Sequence, residues 1–211
     1  MLQRINNAEV ILGAGEAVAF ECGMMNALIG ARAPDVVIAL AEVVSGADNE
    51  SDEKRFVSLE VEYEGKEYTV FTAGGEMGVR AIISYKGSEN EFDPNAFLEY
   101  KRMLKEFSKN SANVFRNTKM PCFDSLLSNG EITFKNYEEW LALIKGREMR
   151  EDGRPVFLIN FLEHFVEAER ALMIEELKGL GRQIFISATR DLFDGSFDGV
   201  KVEVERAFTV I

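Results

Sequence analysis

The chain has 211 residues, 46% of them hydrophobic, and a formal net charge of −12. That apolar fraction supplies a core and excludes a disordered chain. The acidic balance, with no run of Lys or Arg longer than two, excludes a nucleic-acid surface of its own, because phosphate binding needs concentrated positive charge.

The opening residues, MLQRINNAEV, lack the basic start and apolar run of a signal peptide. Residues 2–12 alternate as a strand through Ile5, Ala8, Val10 and Leu12. Gly13 to Ala17 turn the chain, and Ala17 to Glu21 read as a short buried strand. Cys22 and Gly23 end that strand, and Met24 to Arg32 read as a helix. Pro34 and Asp35 open a run, VVIALAEVV, that fits either a strand or a helix. It is the longest apolar stretch, yet Glu42 interrupts it and it is too short to span a bilayer. A soluble cytoplasmic protein is therefore expected, without a membrane partner. Cys22 and Cys122 have no disulfide framework or metal spacing and read as reduced thiols.

Ala47 to Arg55 form a charged, aperiodic loop. Phe56 to Ala73 alternate strictly on either side of Glu64-Gly65-Lys66, which predicts an antiparallel hairpin. Gly74, Gly75 and Gly78 break the chain before a further strand, Val79 to Tyr85. Asp93-Pro94 is a helix start, continued by Phe97, Leu98, Met103, Leu104 and Phe107. Asn129-Gly130 between apolar segments signals a hairpin, and Asn136 caps a short helix that ends at Gly146.

Pro155 to Arg190 is the most informative stretch. Val156 to Ile159 form a continuous apolar run, as in a strand buried on both faces of a parallel sheet. From Val166 the period becomes helical, with Val166, Ala168, Ala171, Leu172, Ile174, Leu177 and Leu180 on one stripe. Gly179 and Gly181 offer stops, and Ile184 to Ile186 give a second buried strand. Two such strands joined by a helix predict a right-handed parallel crossover.

Pro155 to Thr189 resembles the Walker B half of ABC-type ATPases, in their SMC/RecF branch. The rest of the chain is similar more coarsely: an opening strand, a strand–helix junction near Gly23 and an antiparallel hairpin. The resemblance implies an α/β, P-loop NTPase-like fold, a mostly parallel sheet with flanking helices and an antiparallel β subdomain. It implies one ATPase-like domain over residues 1–211, with 56–85 as the antiparallel subdomain and 93–150 as a helical or hairpin insertion.

The departures from that family carry the functional expectation. A phosphate loop needs Gly-x-x-x-x-Gly-Lys-Ser/Thr, and none of its charged or hydroxyl residues follows Gly23. Asn160 stands where the resemblance implies the metal-binding Asp, and Phe161 where it implies the catalytic Glu. Val166-Glu167 looks like the later Leu-Asp, and Thr189 takes the switch position. The vestigial nucleotide site is thus expected at Glu21, Cys22, Gly23, Asn160, Phe161, Glu167 and Thr189. Phosphoryl transfer rests on positioning and charge neutralisation, and these positions supply little of either. The implied function is an interaction or regulatory module that does not hydrolyse nucleotide and has no cofactor. The alternative is an ATP-binding NTPase whose atypical site, with ATP and Mg²⁺, is completed by a partner chain. Family members pair through their nucleotide faces, so a homodimer or an intact ATPase partner is implied.

Other motifs weigh less. Leu127 to Glu131 resembles the family's Leu-Ser-Gly-Gly signature, but Ile132-Thr133-Phe134 favours a hairpin turn. His164 is the only histidine and lacks a Cys or Ser partner nearby in sequence, so it reads as a loop or helix-start residue. Asp191, Asp194 and Asp198 lack calcium-loop spacing and read as turn residues. An unrelated small-molecule enzyme would need a cluster of convergent polar groups, which the sequence does not display.

Overall fold

The computed structural model describes residues 2–13, 16–45, 55–63, 66–73, 80–85, 155–159, 161–193, 195 and 197–204. In chain order these hold β1 (Leu2–Leu12), β2 (Glu16–Glu21), β3 (Met25–Ile29), α1 (Ala33–Ser45), β4 (Arg55–Tyr63), β5 (Lys66–Ala73) and β6 (Arg80–Tyr85). After these come β7 (Val156–Leu158), a 3₁₀ turn (Phe161–His164), α2 (Glu167–Gly179), β8 (Ile184–Ala188) and β9 (Val200–Glu203). Two sheets result: a five-stranded antiparallel sheet, β2-β1-β4-β5-β6, and a four-stranded parallel sheet, β7-β8-β3-β9. The architecture is therefore α/β. The expected helical or hairpin insertion at 93–150, with Leu127 to Glu131, lies outside the described residues.

The parallel sheet is buried on both faces, and its side chains divide by strand alternation. Leu28, Phe157 and Phe185 point one way and join a core with Val36, Val37 and Leu40 of α1 and Val57, Leu59 and Val61 of β4. Phe157 and Phe185 are register partners whose rings stack with centroids 5.2 Å apart. Met25, Ala27, Leu158, Ile184 and Ile186 point the other way, against Met173 and Leu177 of α2. Helix α1 thus lies between the two sheets, and α2 covers the far face of the parallel one. Each fully buried Leu, Ile or Phe contributes about 1.5–3 kcal/mol, so these two interfaces dominate the stabilisation.

Three local expectations are corrected and one open choice is resolved. Met24 to Arg32 is not a helix: Met25–Ile29 is β3, paired in parallel with β8 on one side and β9 on the other. A short run that is apolar but for Asn26 and almost wholly buried has no period to separate strand from helix, and here tertiary pairing decides. Ala17 to Glu21 is a strand, but it sits at the edge of the antiparallel sheet against β1, not in the parallel sheet. The ambiguous run after Pro34 is helix α1, and its start agrees with Pro and Asp in a first turn. The stripe expected on α2 is also rotated. Met173 and Leu177 face the core, while Leu172 is 53% and Val166 65% exposed.

The sheets are joined by amide side chains. β1 carries register irregularities between Leu2 and Arg4 and between Ile5 and Asn7, and its pairing with β2 begins only at Asn7. Ile5 is left with a backbone pair that no strand satisfies on that side. Buried Gln183 takes the place of a strand: its Oε1 accepts from the Ile5 N–H at 2.9 Å and its Nε2 donates to the Ile5 carbonyl at 2.7 Å. The same Nε2 donates to the Gly23 carbonyl at 2.9 Å. Buried Asn26 on β3 completes the set, accepting from the Gly23 N–H at 2.7 Å and donating to the carbonyls of Gly23 at 2.9 Å and Ile184 at 3.0 Å. Replacing Gln183 with Leu keeps the volume and strands the Ile5 donor and acceptor without partners. The expected cost is about 2–4 kcal/mol, read as a lower urea midpoint at unchanged m-value.

Candidate functional site

In open parallel sheets ligands collect beyond the carboxyl ends of the strands, where helices leave on opposite faces. Here β3 runs into α1 on one face, and β7 returns to β8 through α2 on the other. That edge carries Gly30 to Asp35, the 3₁₀ turn, Thr189 and Val204.

Gly30 ends β3 with φ of 132°, a conformation that excludes most L side chains. Its N–H donates to the Ala188 carbonyl at 2.8 Å, and the Val204 N–H donates to the Ile29 carbonyl at 2.7 Å. A Cβ at Gly30 would collide with the Val204 carbonyl oxygen. The backbone is therefore closed tightly against both neighbouring strands. Past it, the Arg32 Nε lies 3.0 Å from the Asp35 Oδ2, pairing the residue before α1 with a carboxylate of its first turn. A helix N-terminus attracts anions, and Asp35 already provides that negative charge from within the chain. Val36 and Val37, next in line, are wholly buried.

The polar groups of the second strand end are also engaged internally. Glu163, in the 3₁₀ turn, accepts on one carboxylate oxygen from the Thr189 N–H at 2.6 Å and from its hydroxyl at 2.7 Å. The Lys201 Nζ lies 3.1 Å from the Asp191 Oδ2 and donates to the Phe193 carbonyl at 2.8 Å. Burial raises the Asp191 pKa, but the hydrogen bond from the Phe193 N–H and the Lys201 ammonium outweigh it, and the carboxyl ends below its usual value.

The expected site residues are dispersed. Glu21, Cys22 and Gly23 form a strand-to-strand crossing between the two sheets, where a strand–helix junction was expected. The true junction is Gly30-Ala31-Arg32. Asn160 lies outside the described residues, and Phe161 opens the 3₁₀ turn. Thr189 is exposed and bound to Glu163, whereas Glu167 opens α2 on the groove side of that helix. The Val166 N–H before it is satisfied by the Glu169 carboxylate at 3.2 Å. Arg32, Asp35 and Glu163 were not named as site residues from the sequence, although Gly30 followed by Pro34-Asp35 was a usable turn-then-helix signal. Among the described residues no group of three or more His, Cys, Asp or Glu is placed to hold a metal ion, and no helix is long and apolar enough to cross a membrane.

The chain matches no protein-family model and no curated protein.

Two expectations test this geometry. Gly30→Ala forces a Cβ into the Val204 carbonyl at a positive φ, and should lower stability by about 2–4 kcal/mol in thermal or chemical unfolding. The Cys22 thiol is pushed up to about 12 by burial, with Arg4 lowering it and Glu21 raising it. The folded state therefore keeps its proton where the unfolded thiol, whose ordinary pKa is 9.0, gives it up. Stability should be flat with respect to this group below pH 9.0 and fall from there towards about 12. The slope is about 1.4 kcal/mol per pH unit at most. Urea unfolding between pH 8 and 10.5 should show that limb in the native chain and its loss in Cys22→Ala.

Proposed function

We propose that this protein is a degenerate ATPase-like domain of the ABC type, in the SMC/RecF branch, that neither holds nor hydrolyses nucleotide and works as an interaction or regulatory module. The observation that carries this is the filling of the β3–α1 junction. Setting the phosphate-loop pattern on Gly30 puts Asp35 at the second glycine, Val36 at the lysine and Val37 at the hydroxyl residue. The position that should neutralise phosphate is an aliphatic side chain packed in the core, and the position that should hold Mg²⁺ is another. Asp35 adds negative charge where the triphosphate would lie, which repels it.

The opposite strand end supports the same reading. Asn160 and Phe161 replace the carboxylates of the Walker B segment. Glu163, the nearest acid in sequence, is engaged by Thr189 and is not free to polarise water. What persists is the frame: a parallel crossover, a helix clamped between two sheets, and an edge whose polar groups are satisfied within the chain.

A thermal-shift titration with ATPγS and Mg²⁺ tests the proposal. A site filled to about a hundredfold excess over its Kd would add about 2.7 kcal/mol and raise the Tm by several degrees. The expected result is no shift beyond about 1 °C. A saturable rise of several degrees overturns the proposal.

A further inference from the structure

The sequence places more apolar residues on α2 than the core consumes. Leu172 and Val166 are exposed, and a groove of about 350 Å³ runs between α2 and the loop that follows β8. That volume is near the lower end of ligand-sized cavities, about 300–1,000 Å³. Its apolar wall is formed by Leu162, Ala171, Ile174, Leu192 and Phe197. Its charged groups are Glu167, Glu175 and Asp191 against Arg170. Arg170 is pinned by donating to the Phe165 carbonyl at 2.7 Å, and Asp191 by Lys201, so neither swings freely. Glu167 and Glu175 stand exposed at the helix surface, and Glu175 pairs with the half-buried Lys178 at 2.9 Å.

We propose that this groove docks a basic amphipathic peptide segment of another protein, seating one apolar side chain against Ile174, Leu192 and Phe197 and setting flanking Lys or Arg beside Glu167 and Glu175. The charge argues for this occupant over the others. An acidic rim on a chain of net charge −12 attracts a cationic partner and repels anionic lipid or nucleic acid. Self-association is disfavoured on the same ground, since a second copy brings the same rim. The apolar wall supplies the affinity and the acids supply orientation and rate, as at interfaces with one buried anchor. The inference rests on the reading of the protein as an interaction module and gives its partner a chemical class.

The test uses the full chain and fluorescein-labelled peptides of about ten residues, with a central Leu, Phe or Ala flanked by Lys or by Glu. The Leu and Phe peptides with Lys should bind with a Kd on the order of 10–100 μM, and the Ala or Glu versions at least about tenfold more weakly. Raising salt from about 50 to about 300 mM should weaken binding several-fold. Ala171→Arg, on the exposed wall of the groove, should abolish binding with an unchanged Tm. The double change Glu167→Lys, Glu175→Lys should reverse the preference towards Glu-flanked peptides. Equal binding of the Lys and Glu peptides, no binding of any, or binding that survives Ala171→Arg overturns the proposal. So does a dimer in sedimentation that Ala171→Arg dissolves, because it assigns the groove to a second copy. A negative peptide result leaves the nucleotide titration untouched, and a nucleotide-induced Tm rise leaves the peptide result untouched, so the two readings fail separately.

Discussion

The fold depends on a handful of buried amide hydrogen bonds where the chain passes from one sheet to the other. Gln183 imitates a missing strand for Ile5, and Asn26 fastens the Gly23 loop to β8. Apolar packing is non-directional and would tolerate many placements of an antiparallel sheet over α1. A buried amide tolerates few, because each donor and acceptor left unmatched costs about 1–3 kcal/mol. These side chains therefore set how the sheets meet, and α1 is held in the space that results.

That placement decides what the edge of the parallel sheet can do. With α1 fixed, Val36 and Val37 point into the core and Asp35 faces Arg32 at the helix start. Glu163 meets Thr189, and Asp191 meets Lys201. Among the described residues these side chains of the edge are engaged with one another. The unspent surface lies to the side, along α2, where apolar and acidic residues are left facing solvent.

Much of the frame was legible. Strict alternation marked the β4–β5 hairpin, and the switch from a continuous apolar run to a helical period marked β7, α2 and β8. The errors fell where those signals degenerate. Apart from Asn26, Met25 to Ile29 is apolar without a period, so nothing local separates strand from helix. The α2 stripe was misplaced because Met173, among Leu, Ile and Ala neighbours, carries no mark of being the residue turned inward. As for the site, Asn160, Phe161 and Thr189 were named from resemblance alone, and Glu163 was missed because its partner lies 26 residues away.

By itself the sequence determined an acidic chain with enough apolar residues for a core, one antiparallel hairpin and one parallel crossover. Local periodicity and turn chemistry suffice for those, since each is set by neighbours in the chain. Only the tertiary structure decided that Met25–Ile29 is the strand between β8 and β9, that the strand–helix junction falls at Gly30, and that Arg32 pairs with Asp35 and Lys201 with Asp191. Each of these depends on residues distant in sequence coming within hydrogen-bond reach, and no local pattern encodes which distant group will arrive.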